Sequence, residues 1–190
     1  GISYDSRKIK KNFVFVCIKG TKVNGHSYIK DAVKNGAAAV IVEDEVVFNN
    51  EEVTLIKVKD TKHALAGISN IFYGEPSKKL NLIGITGTNG KTSVAYYVSD
   101  MLEAHGEITG TIGTLGYELA HEKVNVKKIN PTTPEALELQ AILKEFAAKG
   151  AKNTVMEVTS SGLLNERVDF CDFNIGVFTN LSPDHLDIHG

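Results

Sequence analysis

Apolar and polar positions alternate along this chain in two periods. "NFVFVCIKG" (12–20) is a short apolar run closed by Lys-Gly and predicts a strand. "SYIKDAVKNG" (27–36) spaces Ile29 and Val33 four apart before a glycine stop, which predicts a short helix. "AAAVIV" (37–42) and "VTLIKV" (53–58) read as buried strands. From Asp60, an N-cap candidate, a stripe of Ala64, Leu65, Ile68, Ile71 and Phe72 predicts a helix. "YGEPSKK" (73–79) then breaks both periods with Gly, Pro, Ser and charge, and is the natural boundary between a first domain, 1–79, and a second, 80–190.

The second half repeats the alternation. "LNLIGIT" (80–86) predicts a strand, and a helix from about Thr92 places Val94, Tyr97, Val98, Met101 and Leu102 on one face. Near 133–149, Thr133 caps an expected helix that begins at Pro134, with Leu137, Leu143 and Phe146 on its apolar face and Gly150 at its end. "NTVMEVT" (153–159) and "FNIGVFTN" (173–180) predict two more strands. Strands alternating with helices imply an α/β fold with a largely parallel sheet, and in such sheets sites gather beyond the carboxyl ends of the strands. The polar clusters 86–92, 157–161 and 180–189 fall there.

Composition narrows the classes. The 190 residues are 42% hydrophobic and 23% charged with a net charge of -2, which offers no basic surface for nucleic acid and no acidic one either. No apolar run reaches the roughly 18 residues that span a bilayer, and the start carries no secretory leader. Cys17 and Cys171 are isolated in apolar surroundings, which predicts buried free thiols in a reducing cytoplasm. Both ends read as cut, so the chain is expected to be a fragment of a longer protein.

The chemistry starts at "GITGTNGKTS" (84–93), between a strand and a helix. Glycines there let several backbone N–H groups face one anion, and the helix start adds the positive end of its dipole. Lys91 can reach the β- and γ-phosphates and the Thr92 hydroxyl can ligate Mg²⁺. The strict phosphate-loop pattern requires glycine at 85, where this chain has Ile85, so the loop is a variant. Glu157 ends an otherwise apolar strand, where a carboxylate is costly unless paired or metal-bound; beside a phosphate loop, metal ligation is the favoured reading over a solvated strand end. "NLSPDHLDIHG" crowds Asp184, His185, Asp187 and His189 into six residues, which taken alone is a polar turn. "YDSR" (4–7), "NGH" (24–26) and "NPTTPE" (130–135) are each explained by a cap or a turn, and His63, His105 and His121 carry no signal of their own.

Taken in order, "YDSR", "FVCIKG", "NGHSYI", "GAAAVI", "TGTNGKTS", "TIGTLGY", "NPTTPEAL", "MEVTSSGL" and "FTNLSPDHLDIHG" resemble the Mur ligases of peptidoglycan synthesis. Within them, "YDSR" and "TTPE" resemble the enzymes that add the third amino acid, and the resemblance covers essentially the whole chain. It implies an ATP-dependent amide ligase with Mg²⁺, acting on UDP-N-acetylmuramoyl-L-Ala-D-Glu and a diamino acid, meso-diaminopimelate ahead of L-lysine. It implies a UDP-substrate domain at 1–79 and the front of an ATPase domain at 80–190; the composition points to a cytoplasmic protein without nucleic-acid or membrane partners, and a monomer is the default expectation.

By matching motif, Gly87, Thr88, Asn89, Gly90, Lys91, Thr92 and Ser93 would hold ATP phosphates, with Asn180 a nucleotide-side contact. Thr92, Glu157 and His185 would serve metals, with Lys91, Glu157 and His185 as the catalytic set. Ser6, Asn130, Thr132, Thr133, Thr159, Asn165 and Arg167 would grip the UDP substrate. Two positions depart from the family: Ser161 stands where a His is expected and Asn165 where Gln is common. The family's carbamylated lysine and its carboxy-terminal domain would lie beyond Gly190, so this stretch alone is expected to be inactive. The competing readings are another ligase of the wider superfamily, such as a folylpolyglutamate synthase, and a non-catalytic nucleotide-binding module.

Overall fold

Two sheets, one all-parallel and one mixed, organise the chain in a computed structural model that describes residues 1–20, 23–47, 50–124, 126 and 129–184. The chain divides into two compact units, Gly1–Gly67 and Ile68–Gly190.

In the first unit, strands β1 (Ile2–Ser3), β2 (Phe13–Val16), β3 (Ala37–Val42) and β4 (Thr54–Lys57) pair in that order, all parallel. Helix α1 (Ile29–Lys34) buries Ile29 and Ala32 with Phe15, Cys17, Val40 and Val42. The expectation that 53–58 forms a buried strand is corrected. β4 is an edge strand with Thr54, Ile56 and Lys57 exposed, because β3 covers only one of its sides. His26 is nearly enclosed and joins two segments: its Nε2 accepts from the amides of Glu43 (3.1 Å) and Asp44 (3.3 Å). Its Nδ1 lies 2.8 Å from Asn24 Oδ1, so the ring is the neutral tautomer with its proton on Nδ1.

Helix α2 (Thr61–Phe72) starts as the sequence predicts, the Asp60 carboxylate accepting from the amides of Lys62 and His63. Thr61 donates its amide (2.9 Å) and hydroxyl (2.7 Å) to Glu43. Burial raises the Glu43 carboxyl, but these two bonds and Lys19 outweigh it and bring it down to about 2. Leu65 and Ala66 are buried, whereas Ile71 and Phe72 are exposed. The division between units falls inside α2, ahead of the boundary expected at 79/80. The Pro76–Lys79 turn interrupts the sequence pattern but packs within the second unit: Pro76 and Ser77 are buried, and Ser77 Oγ accepts from the Asp172 amide.

The second unit is built on β5 (Asn81–Thr86), helix α3 (Lys91–Ala104), β6 (Thr109–Gly113), β7 (Gly116–Leu119), β8 (Glu122–Lys123), helix α4 (Ala136–Ala148), β9 (Asn153–Glu157), helix α5 (Ser160–Leu164) and β10 (Phe173–Phe178). The strand order is β10-β5-β9-β6-β7-β8, with β10, β5, β9 and β6 parallel and β7 and β8 antiparallel. Register sets Ile85 beside Glu157 and Thr111 beside Val155. The central strands are buried, while β10 is an edge strand that exposes Ile175 and Phe178.

Helix α3 lays Ala95, with Val94, Val98 and Leu102, on Ile83, Ile85 and Val155, and buries Ser99 with its Oγ 2.9 Å from Thr111 Oγ1. Tyr97 and Met101, expected on that face, are exposed. The buried stripe runs through 95, 98, 99 and 102, and 97 and 101 lie off it by more than half its width. Helix α4 begins later than expected and is capped by Glu135, whose carboxylate faces the Ala136 amide, not by Thr133. Thr133 is instead drawn to β9, where its hydroxyl donates to the Glu157 carbonyl at 3.1 Å. Leu139, Ile142, Leu143 and Phe146 form the α4 side of the main core with Leu82, Ile112 and Met156. No helix among the described residues is long and apolar enough to cross a membrane.

Candidate functional site

Because four strands run parallel, their carboxyl ends share one edge of the second sheet. β5 delivers the loop 87–90, β6 delivers Thr114, β9 delivers Glu157 and Thr159, and β10 delivers 179–184. A cleft of ≈ 380 Å³ there is lined by residues 88–93, Thr114, Thr132, Glu157, Thr159 and Asp184.

The loop is held open by its neighbour, not by itself. Gly87 has φ 131°, and a Cβ there would stand 2.2 Å from Thr179 Oγ1 and 2.8 Å from the Asn180 carbonyl oxygen. Only a glycine fits both the backbone angle and that approach. Asn180 brackets Asn89: its Oδ1 accepts from the Asn89 amide (3.1 Å) and its Nδ2 donates to the Asn89 carbonyl (3.0 Å). Thr179 Oγ1 donates to the same carbonyl at 2.7 Å. The Thr88 amide donates to the Asn180 carbonyl (2.9 Å), and Thr88 Oγ1 accepts from the Ser182 amide (2.9 Å). Lys91 Nζ donates to the carbonyls of Gly87 (2.6 Å) and Thr88 (2.9 Å), so the ammonium is folded back on its own loop. Gly90 caps α3 from the left-handed region and Ser93 is exposed on the first turn.

Glu157 is 1% exposed, and its carboxylate accepts three hydrogen bonds. Thr114 N donates to Oε1 at 2.7 Å, Thr92 Oγ1 donates to Oε2 at 2.9 Å, and Thr114 Oγ1 bonds Oε2 at 3.2 Å. Among the described residues Glu157 has no ion-pair partner. A buried carboxylate balanced only by neutral donors favours a nearby cation. Thr92 Oγ1 and Glu157 Oε2 are oxygen donors of the kind Mg²⁺ takes, so these residues fit that ion. His185, the third expected metal residue, lies outside the described residues.

The second-unit residues expected on the substrate side enter two separate hydroxyl chains, one with Thr114 and one through Thr159. Thr132 Oγ1 lies 3.0 Å from Thr114 Oγ1, Thr133 Oγ1 lies 3.1 Å from Thr159 Oγ1, and Thr159 Oγ1 lies 3.2 Å from Ser161 Oγ. Thr159 also caps α5 through the Gly162 amide. Asn165 donates to the Ser161 carbonyl at 2.7 Å. The buried side-chain nitrogen of Asn130 has no acceptor among the described residues. Arg167, expected as an anion partner, pairs with Glu135 at 3.3 Å and donates to the Thr133 carbonyl at 3.4 Å. Ser6 belongs to the first unit, buried in the turn Ser6–Lys8 whose start is capped by Asp5.

Thus the structure brings together the loop, Thr92, Glu157, Thr132, Thr133 and Thr159, as the sequence proposes. It adds Thr114 and Glu135, which the sequence reading passed over. Thr114 lies in "TIGTLGY", already singled out as a motif, but its partner is 43 positions away.

Residues 85–190 match the Mur ligase middle domain and residues 1–73 match the Mur ligase family catalytic domain. The chain is 63% identical over 190 residues to UDP-N-acetylmuramoyl-L-alanyl-D-glutamate--2,6-diaminopimelate ligase 2 of Clostridium acetobutylicum, covering 100% of this chain and 39% of that protein. It is 47% identical over 188 residues to the corresponding ligase of Clostridium perfringens, covering 99% and 38%. A solved UDP-N-acetylmuramoyl-L-alanyl-D-glutamate--2,6-diaminopimelate ligase superposes with a TM-score of 0.80 at 30% identity, over 100% of this chain and 38% of the other. The MurF ligase of Thermotoga maritima in complex with ADP shares the fold, with a TM-score of 0.63 at 24% identity, over 97% and 38%. The chain therefore spans less than two-fifths of the length of these relatives.

Proposed function

The chain belongs to the Mur ligase family, and on that premise we propose that it supplies the first two domains of an ATP-dependent ligase that adds meso-diaminopimelate to UDP-N-acetylmuramoyl-L-Ala-D-Glu. The observation that carries this reading is the single cleft in which the phosphate loop, the buried Glu157 and the hydroxyls of Thr132 and Thr159 meet. A phosphate donor and a carboxylate acceptor must be adjacent for phosphoryl transfer, which depends on alignment and charge stabilisation more than on covalent help. The names of the relatives support the choice of diaminopimelate over L-lysine.

In this reading the amides at the start of α3 and the end of its dipole receive the phosphates of ATP. Lys91 leaves the carbonyls of Gly87 and Thr88 and follows the transferred phosphoryl group. Thr92 and Glu157 hold Mg²⁺, which when bound neutralises phosphate charge. Asn89 is kept in place by Asn180, whose contribution is to shape the loop. Thr132, Thr133, Thr159, Asn130 and Asn165 orient the UDP-muramoyl peptide, and Arg167 exchanges Glu135 for a substrate anion. Ser6 serves the uridine diphosphate from the first domain. The substrate carboxylate takes the γ-phosphoryl group of ATP, the bond to the β-phosphate oxygen breaks and ADP leaves; the incoming amine attacks the carbonyl carbon of the acyl phosphate, the amide C–N bond forms, the C–O bond to phosphate breaks, and phosphate and the amine's proton depart.

The test is calorimetric titration of the complete protein and of this chain with UDP-N-acetylmuramoyl-L-Ala-D-Glu, against UDP alone. The complete protein is expected to bind the sugar dipeptide more tightly than UDP. Failure of the complete protein to distinguish them would overturn the assignment.

A further inference from the structure

Thr114, directly after β6, holds both oxygens of the Glu157 carboxylate. Its amide donates to Oε1 at 2.7 Å and its hydroxyl bonds Oε2 at 3.2 Å. The preceding residue makes room for this: a Cβ at Gly113 would lie 2.1 Å from Oε1 and 2.8 Å from Cδ of Glu157. The end of β6 is therefore cut to the shape of a carboxylate delivered by β9. The same Thr114 hydroxyl lies 3.0 Å from Thr132 Oγ1.

A threonine hydroxyl has one proton to give and two lone pairs. If Thr114 gives its proton to Glu157, it accepts from Thr132. Thr92 also donates to Glu157 Oε2, at 2.9 Å. A cation held between Thr92 and Glu157 would draw on both oxygens, and the Thr92 bond would be turned away from the carboxylate. Thr114 would then be the residue still fixing Glu157.

We propose that Thr114 is a positioning residue for the metal-nucleotide site: it orients Glu157 toward the divalent cation shared with Thr92 and ties that carboxylate, through Thr132, to the substrate side of the cleft. This rests on the reading of Thr92 and Glu157 as cation ligands. Partners that orient a ligating side chain are worth about 10–100-fold in metal affinity.

The experiment measures Mn²⁺ affinity in the presence of ADP by electron paramagnetic resonance, and ADP affinity without metal by calorimetry, on the complete protein. Thr114→Val keeps the amide and shape and removes the hydroxyl; Thr114→Ala checks that the added methyl is not the cause. Both variants are expected to lose roughly tenfold or more in Mn²⁺ affinity, with metal-free ADP affinity unchanged. Thr114→Ser is expected to restore the metal affinity. Glu157→Gln serves as the reference for the ligand itself. If Glu157→Gln weakens Mn²⁺ and Thr114→Val does not, the positioning role is overturned while the ligand reading stands. If Glu157→Gln leaves Mn²⁺ affinity intact, the ligand reading falls and the proposal with it. An equal loss of metal-free ADP affinity in Thr114→Val would mark a structural role and also overturn the proposal.

Discussion

Replacing Gly87 with alanine separates two costs that the structure places at one residue. The first is backbone conformation: φ is 131°, and an L-residue at positive φ costs roughly 1–2 kcal/mol. The second is contact: the new Cβ would stand 2.2 Å from Thr179 Oγ1 and 2.8 Å from the Asn180 carbonyl oxygen. The Thr179 side chain could turn, but the Asn180 backbone could not move without loosening its bracket on Asn89. Losing the two Asn180–Asn89 hydrogen bonds costs about 1–3 kcal/mol in all. Gly106 provides the control, with φ 87° and nothing within 4 Å of its Cβ position. G106A should therefore lose only the backbone term, and G87A the sum, roughly 2–5 kcal/mol. In a unit of this size 1 kcal/mol moves the melting temperature by roughly 3–5 °C, which puts G87A about 3–15 °C below G106A. Restoring the loop to bind ADP would cost G87A a further tenfold or so in affinity, since about 1.4 kcal/mol is one decade. The assays are thermal unfolding and ADP titration. Equal melting temperatures and equal ADP affinities for the two variants would refute the account of a loop held by the segment after β10.

Three other outcomes are expected. The Glu43 carboxyl lies below its ordinary value of 4.5, at about 2, so its contribution to stability is complete above 4.5 and is lost as the pH falls toward 2. An acid-unfolding series should show that loss in the wild type and a shallower one in Glu43→Gln; identical slopes would exclude the group. His26→Leu removes the acceptor for the amides of Glu43 and Asp44 and should cost about 1–3 kcal/mol in urea denaturation, with no change expected if water replaces the ring nitrogen freely. Burial pushes the thiols of Cys17 and Cys171 up to about 12, but only Cys17 is buried and Cys171, expected to be buried as well, is half-buried; an aromatic disulfide reagent at pH 8 should leave Cys17 unlabelled until the protein unfolds and label Cys171 slowly, and rapid labelling of native Cys17 would contradict its burial.

Much of the site could be read in advance because its signals are local. Gly-Lys-Thr between a strand and a helix names a phosphate loop within eight residues, and Glu157 stands out as an acid closing an apolar strand. Other parts were hidden for definite reasons. β6 is written "TGTIG", fully buried yet almost without large apolar side chains, so no periodicity betrays it. Thr133 looked like a helix cap because a threonine before Pro-Glu usually is one; the carbonyl of Glu157 competes for its hydroxyl and wins. Arg167 looked free for an anion because Glu135 is 32 positions earlier in the sequence and beside it in space.

What the sequence determined by itself was the set of pieces: the glycine loop between strand and helix, the strand that carries Glu157, the alternation of strands and helices, and the family these motifs resemble. The loop and the strands depend on residues close in sequence, where spacing dictates geometry, and the resemblance depends on the order of such short motifs. The tertiary structure alone decided which strands are edges, which side of α3 is covered, and which side chains become partners. The order β10-β5-β9-β6 places Asn180 against Asn89 and Thr114 against Glu157. Strand order is settled by the packing of whole faces, to which every residue contributes a little, and no short stretch of sequence carries it.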